Sequence, residues 1–425
     1  MRKILVPLLA NLILFGIALI IVVGAGEILV RRIAPATPRT YAPSPTRGWK
    51  PLPRLDITWR VPGYEGGDPG PVRIRTDANG FRSTREIGPK RTGIFRIAIL
   101  GDSFTFGASV HEEHLYPGVI ERALRSRTVR PVEVVNLGVP GYGVHQEHAA
   151  LAEQGLALDP NLVVVSLYLG NDLQETLGLH RRVFDPRTGG TLEAPDQRIV
   201  NGRMVPIPAG AAATPAIRGD LQRWLREHLR LVALLADRVK ENDGLRGSLE
   251  RIGLIRPERP RALTGEPREK QLWSAVGTVS LLRQTPPALE DAWRLVFKHL
   301  DAMDALCRAR GIPMTVVLIP YKIQVGPERR RAEVARLGLR EADLDLDGPN
   351  QRVAEWGRAR GVPVIDLLPD FAAARDAASL YFRVDSHWNE KGHEAAGHAL
   401  ADRLLALGLV PAASSPDAGI PTPPL

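Results

Sequence analysis

From Phe95 onward the chain alternates short apolar runs with longer amphipathic ones, and this rhythm restricts the fold more than any other feature of its 425 residues. RIAIL and VEVVN read as strands, each followed by a helical pattern, EEHLYPGVIERALRSR and then VHQEHAALAEQGLAL. NLVVVSLYL is a third strand, apolar enough to be buried on both faces. Later come the strands PMTVVLIP and VPVIDLL and the helical patterns ALEDAWRLVFKHLDAMDALCRARG, NQRVAEWGRARG and NEKGHEAAGHALADRLLAL. Strands alternating with helices bury both faces of a parallel sheet. The expected architecture is an α/β, flavodoxin-like three-layer sandwich of about five parallel strands over residues 93–408.

Two segments interrupt the rhythm. Residues 174–286 span about 110 positions, too many for a structureless loop inside a domain. They contain helical patches such as LQRWLREHLRLVALLADRVK, so an inserted, mainly helical cap is expected. Residues 322–348 form a smaller charged insertion. Before the rhythm starts, residues 33–55 (IAPATPRTYAPSPTRGWKPLPRL) are proline-rich and read as a stiff, extended tether. Within 33–92 a short β region follows, with a hairpin expected around Asn79-Gly80. The tail, 409–425, has the composition of a disordered segment.

The first stretch points to a membrane. Residues 4–26 carry no charge, and at about 1.5 Å per residue such a helix spans the ~30 Å hydrocarbon layer. A cleaved signal peptide is the alternative, with a small-residue site after Ala25. Its apolar core, however, is ordinarily only about 7–15 residues. An uncleaved transmembrane anchor over 1–32 is therefore expected. Basic residues flank both ends, so the charge rule alone gives no orientation. Short N-terminal anchors act as start-transfer signals, which places the bulk of the chain outside the cytoplasm, on the periplasmic or outer face. The net charge of +9 fits anionic surfaces, either lipid headgroups or acidic polymers. No basic stripe interleaved with aromatics and no zinc-finger spacing is present, so nucleic acid is not an expected partner. The single cysteine, Cys307, excludes an internal disulfide and a cysteine-rich metal site; it sits in a helical pattern as a small apolar residue.

In an open parallel sheet the site lies beyond the carboxyl ends of the strands. Those ends are marked here. The first strand stops at Gly101-Asp102-Ser103, the second runs into NLGVPGYG, and the third stops at Gly170-Asn171-Asp172. The last is followed, further on, by Asp385-Ser386-His387-Trp388. A serine hydroxyl is inert at its free pKa and needs a base. His387 can supply one if Asp385 fixes the imidazole tautomer and stabilises the imidazolium. A tetrahedral oxyanion needs donors, which the backbone N–H groups of Ser103 and Gly141 and the side-chain amide of Asn171 would provide. Asp102 reads as a buttress of the serine turn and Asp172 as scaffold. Asn171-Asp172 also suits a plain helix cap, and Trp388 a packing residue.

At these residues the sequence resembles the SGNH/GDSL hydrolase family. The resemblance assigns the family's serine to Ser103, its glycine to Gly141 rather than Gly138, its asparagine to Asn171 in LGND, and its histidine to His387. It covers residues 93–173 and 287–408. One departure stands out. The family's last block places Asp three before His, where this chain has Val384; Asp385 lies two before. The D-x-H-W form resembles the SGNH-like domains of polysaccharide O-acetyltransferases. That resemblance implies envelope glycans as substrates and envelope polysaccharide machinery as a partner.

Other histidine groups invite a metal reading. HEAAGH (His393 to His398) has one residue more than H-E-x-x-H; five helical residues turn about 500° and leave the rings on different faces. HQEH (His145, His148) and HEEH (His111, His114) could each share a face, but neither shows a third ligand. GDSFTFG lacks the G-K-S/T of a phosphate loop. No metal and no cofactor is expected. The reading that follows is a membrane-anchored serine esterase of acyl-enzyme mechanism, acting on an acylated small molecule, glycan or lipid. An exopolysaccharide O-acetyltransferase and an inactive scaffold or binding protein are the alternatives.

Overall fold

The computed structural model describes residues 2–33, 40–59, 70–107, 109–173, 175–176, 197–200, 203–206, 229, 231, 276–285, 287–336, 338–382 and 386–413. Most of the expected cap, and the tail beyond 413, lie outside the described residues. The chain divides into two compact units. The first comprises Met1–Arg39 and Ile199–Glu266; the second comprises Thr40–Arg198 and Pro267–Leu425.

In the first unit, helix α1 (Arg2–Ile33) contains the window Ile13–Val30, with a mean hydropathy of 2.7 over 18 residues. Among the described residues it is the one helix long and apolar enough to cross a membrane. Its exposed face carries Ile13, Leu14, Phe15, Ile20, Ile21 and Val22.

The second unit begins with β1 (Tyr41–Ser44) and β2 (Gly48–Pro51), an antiparallel pair, then β3 (Asp56–Trp59) and β4 (Val72–Arg75), a second pair. The main sheet follows. It is built from β5 (Phe95–Leu100), β6 (Val132–Asn136), β7 (Leu162–Tyr168), β10 (Met314–Ile319) and β11 (Val364–Asp366). The short pair β8 (Gln197–Val200) and β9 (Arg203–Pro206) lies in the insertion. Between the sheet strands come α2 (Ser103–Phe106), α3 (Tyr116–Leu124), α4 (Val144–Ala150), α5 (Val276–Val279), α6 (Pro287–Arg308), α7 (Lys322–Val325), α8 (Pro327–Arg336) and α9 (Gly348–Arg360). The chain closes with α10 (Leu368–Ala372) and α11 (Glu390–Ala406).

All pairings in the main sheet are parallel, in the order β11-β10-β7-β5-β6. Counted along the chain this is 2-1-3-4-5 read from the β6 edge, the flavodoxin-like order. Every residue of β5, β7 and β10 is buried, as their continuous apolar runs require. Alternation sends Ile97, Ile99, Val164 and Val317 into one core with Ile120, Leu124, Leu400 and Leu404 from α3 and α11. On the other side α4 packs on α6, whose Trp293, Leu300 and Cys307 are fully buried. The strand order reverses between β5 and β7, and the crevice at their carboxyl ends is where Ser103 and Asn171 emerge.

Three local expectations differ from the structure. Residues 41–51 are not an extended tether. They form the β1–β2 pair and dock on the second βα turn: Trp49 Nε1 donates to Pro140 O at 3.1 Å, the Tyr142 hydroxyl donates to Trp49 O at 2.5 Å, and Gln146 Nε2 donates to Arg47 O at 2.6 Å. Proline content marked an irregular chain, but not the pocket that a distant Trp49 fills. Second, β4 pairs with β3, and the Asn79-Gly80 turn closes only the single bridge Thr76–Arg82. The Asp77 carboxylate shapes that turn by accepting from the N–H groups of Asn79, Phe81 and Ile87. Third, the beginning of the tail is ordered: Val410 is in the core, and Ala413 N–H donates to Arg127 O at 2.9 Å.

Trp49 distinguishes a docked hairpin from a tether. Trp49→Ala should lower the unfolding free energy by about 3–5 kcal/mol, the range for deleting a buried aromatic, in denaturant unfolding of the full chain; an undocked tether would show no change.

Candidate active site

The turn after β5 is set by Asp102, whose carboxylate caps α2 by accepting from Phe104 N–H at 2.9 Å. Ser103 is the first residue of α2, so its N–H has no partner within that helix. Gly107 ends the helix with φ +70°, its N–H donating to Ser103 O. The Ser103 hydroxyl projects to His387, with Oγ 2.6 Å from Nε2 across 284 positions of sequence.

A tight loop presents His387. Phe382 N–H donates to His387 O at 3.0 Å, and Tyr381 bridges Trp388. Asn389 ties this loop to α11. Its Oδ1 caps the helix at Gly392 N–H, and its Nδ2 donates to Ser379 O and Tyr381 O. Lys322, only 6% exposed, donates from Nζ to Phe382 O and lies 6.0 Å from the centre of the Tyr381 ring. From below, the Phe104 ring packs 4.8 Å from the imidazole. Trp388 is buried among Phe104, Tyr116 and Phe371, in the packing role its sequence context suggested. Asp385 lies outside the described residues.

The other expected residues occupy neighbouring strand ends. Gly141 follows β6 with φ +76°, a conformation that favours glycine. Gly138 has a different function. A Cβ there would meet Phe106 N at 2.5 Å, so its bareness lets the β6 turn pack against α2. Asn136 clamps the same contact, donating to Thr105 O and accepting from Gly138 N–H. Asn171 follows β7; its Nδ2 donates to Glu175 Oε1 at 3.2 Å, and its Oδ1 is sealed from solvent.

Four carboxyl groups cluster behind the serine turn: Asp102, Glu147, Asp172 and Glu175. Asp172 acts as scaffold, accepting from Tyr168 N–H at 2.6 Å. Glu147 is 1% exposed, and neither carboxyl oxygen has a hydrogen-bond partner. Burial pushes all four above the ordinary carboxylate range. Mutual repulsion adds to the rise at Glu147, Asp172 and Glu175. At Asp102 the Phe104 N–H, the charge of His387 and the Asn171 amide partly offset it.

The histidines sort as follows. His393 is buried; burial foremost, then the charges of His387 and His114, hold it down at about 3, so it is neutral. It accepts from Tyr116 N–H at 3.4 Å. His398 is exposed, so the two rings of HEAAGH do face differently. His114 Nδ1 pairs with Glu394 Oε1 at 2.7 Å. The HQEH pair gains a third ring that the sequence did not reveal: His299 of α6 stands 3.2 Å from His148, Nδ1 to Nδ1, with its ring centre 5.9 Å from that of His145. Among the described residues no three potential ligands are placed to hold a metal ion.

Two cavities near the serine share Ser109 in their linings. One, of about 50 Å³, is lined by Ser103, Gly107, Val110, His387, Trp388 and His393. The other, about 280 Å³, extends to His111, Phe382 and Lys391.

With this geometry in view, two family models match the chain. Residues 99–244 match the GDSL-like lipase/acylhydrolase family, and residues 281–418 match the SGNH hydrolase-like domain of the acetyltransferase AlgX. Both models are of SGNH/GDSL type, so the chain's similarity to that family rests on two separate segments of sequence. Within that family, its C-terminal segment is similar to the polysaccharide O-acetyltransferase branch. A curated relative, the probable alginate O-acetylase AlgJ of Pseudomonas aeruginosa, is 27% identical over 116 residues, 27% of each chain. The match thus spans about a quarter of that relative's length. Solved structures include the lipase Lip_vut3 from a goat rumen metagenome (12% identical, 72% of this chain and 96% of that one, TM-score 0.37). The acetyl xylan esterase AlAXEase gives 12%, 74%, 99% and 0.33 on the same measures. At such scores these structural likenesses carry no chemistry.

The acid cluster has a measurable consequence. Carboxyls raised above their unfolded values favour the protonated folded chain. The stability they confer is full below the ordinary carboxylate range and is lost as pH rises towards their folded values. Glu147→Gln removes one such group while keeping its shape. Melting temperature measured from pH 4 to 8 should fall less steeply in this variant than in the unmodified chain; identical slopes would mean that Glu147 holds its proton equally in the folded and unfolded chain, so that burial does not raise it.

Proposed function

We propose that this chain is a serine-dependent acyl-transfer enzyme acting on O-acyl esters of a cell-envelope glycan. The observation that carries the reading is the 2.6 Å contact between Ser103 Oγ and His387 Nε2, within the range a general base requires. Ser103 Oγ attacks the ester carbonyl and its proton passes to Nε2. The carbonyl oxygen becomes an oxyanion, for which the N–H groups of Ser103 and Gly141 are the proposed donors; the Asn171 amide, bonded to Glu175 in this structure, joins them only by releasing that bond. The C–O bond to the leaving alcohol then breaks, His387 returns the proton to that alcohol, and the acyl group remains on Ser103. In the second half a hydroxyl gives its proton to His387 and attacks the acyl carbon; the bond from that carbon to Ser103 Oγ then breaks, and His387 returns the proton to Oγ, which restores Ser103. Asp385 is proposed as the group that orients the imidazole.

The size of the inner cavity supports a short acyl group. At ~10–15 Å³ of accessible space per water-sized group, 50 Å³ admits a few heavy atoms. That suits acetyl and excludes a fatty chain. The second-half acceptor decides between esterase and transferase. Hydrolysis was the first expectation. The match of residues 281–418 to an acetyltransferase domain, together with the relation to an O-acetylase, favours a sugar hydroxyl over water. The apolar helix α1 supports anchoring at a membrane, with the second unit on the extracytoplasmic side.

A fluorophosphonate probe should label the unmodified chain and fail to label Ser103→Ala. Ser103→Ala and His387→Ala should each lower acetyl-ester turnover by about 10⁴-fold or more, since the pair acts as a unit. Free acetate as the sole product, in the presence of oligosaccharide acceptors, would establish hydrolysis; acetylated oligosaccharide would establish transfer. Labelling that survives Ser103→Ala would refute the mechanism.

A further inference from the structure

We propose that the larger cavity, about 280 Å³ in volume, seats a glycosyl unit of the substrate, held chiefly by His111 and Lys391. This rests on the function proposed above and specifies what lies beside the reacting ester. Ser109 lines both cavities, so a group in the larger one would lie next to the acyl site at Ser103. The walls are of two kinds. Val72 and Phe382 give a buried apolar floor, whereas His111 and Lys391 are exposed and the Ser109 hydroxyl lies between. A pyranose presents the same pairing, C–H faces flanked by hydroxyls that need donors and acceptors together. A fatty chain would use only the apolar floor and make no contact that the polar rim could add to.

Not every polar lining group is available. The Asn389 side chain is committed to Ser379 O, Tyr381 O and Gly392 N–H, so it shapes the groove rather than reading the ligand. Glu390 lies 3.8 Å from His114. His111 and Lys391 therefore remain as the reading groups, with Ser109 at the junction. Gly70 and Val72 come from the β3–β4 region, which precedes both matched family segments, 99–244 and 281–418. The groove is thus built jointly by the matched segments and by the region that precedes them. Substrate choice would then vary with that region while the chemistry at Ser103 stays fixed.

The test measures binding, so that it does not depend on turnover. In a Ser103→Ala background of the full chain, titration calorimetry is run with two probes, an O-acetylated xylo-oligosaccharide and an O-acetylated uronate oligosaccharide. At least one should bind, and adding His111→Ala with Lys391→Ala should weaken its Kd about tenfold or more. Both side chains are exposed, so an unchanged melting temperature verifies the fold. Ser109→Trp, which adds bulk to the shared wall, should weaken the same probe. A loss confined to the uronate probe would identify an acidic sugar; an equal loss on both would identify the shared pyranose. Binding of neither probe, or a Kd indifferent to all three substitutions, overturns the proposal. Turnover of p-nitrophenyl acetate by the unmodified chain is measured separately: its absence would defeat the acyl-enzyme mechanism, whereas its presence with indifferent Kd values would defeat the glycosyl groove alone.

Discussion

The hydrogen bond between Ser103 and His387 joins two residues 284 positions apart at 2.6 Å, and most of the second unit can be understood as what holds them there. The serine side is short and stiff. A fully buried strand ends in a turn whose geometry is fixed by the Asp102 cap and by close packing of the β6 turn on α2. The histidine side is a loop, and loops need external restraint to hold a side chain within a few tenths of an ångström. Here the restraint comes from three directions: Asn389 bonds two carbonyls of the loop's approach, Lys322 bonds Phe382 O, and Phe104 of the serine helix packs against the imidazole itself. The two halves of the site are therefore coupled, because the helix that carries Ser103 also supports the ring facing it.

This precision has an electrostatic cost behind the serine. Carboxyls with no hydrogen-bond partner, such as Glu147, are what a fold optimised only for stability would replace. Asp102 and Asp172 have local functions, capping α2 and fixing the Tyr168 N–H. Glu147 has none of that kind, and its burial is explained only by what surrounds it. Protonation lowers the penalty, since a neutral carboxyl tolerates an apolar setting that its anion does not. Burial and mutual repulsion thus favour the protonated form of Glu147, Asp172 and Glu175 behind Ser103.

Much of this was legible in the sequence because it is local. Continuous apolar runs identified the buried strands, and the tripeptides at their ends identified the crevice; once Gly101-Asp102-Ser103 and Gly170-Asn171-Asp172 are set on adjacent parallel strands, sheet geometry does the rest. The spacing of His393 and His398 also set the two rings on different faces, and in the structure one is buried and the other exposed. What escaped was long-range. His299 meets His148 only because α4 and α6 share a face, and Lys322 reaches the histidine loop from a different βα connection. Trp49 sits in a proline-rich stretch whose composition says nothing of the cavity beside Pro140. Such contacts pair residues with no shared periodicity, so a single sequence holds no local signal for them.

The contrast between the two cavities bears on why a serine-histidine site would transfer a group rather than surrender it to water. An acyl-enzyme is hydrolysed by any water that reaches its carbonyl within hydrogen-bonding distance of the base. The inner cavity is small, and it is bounded by Gly107, Val110, Trp388 and the neutral His393. If an acyl group fills it, an acceptor could approach from the side of Ser109, the lining residue that it shares with the larger groove. An acceptor seated there would displace water from that side and compete with it for the acyl carbon. Selectivity for transfer then follows from occupancy of the groove, with no change in the chemistry of the serine, and the same pair of residues can serve either outcome according to what sits beside it.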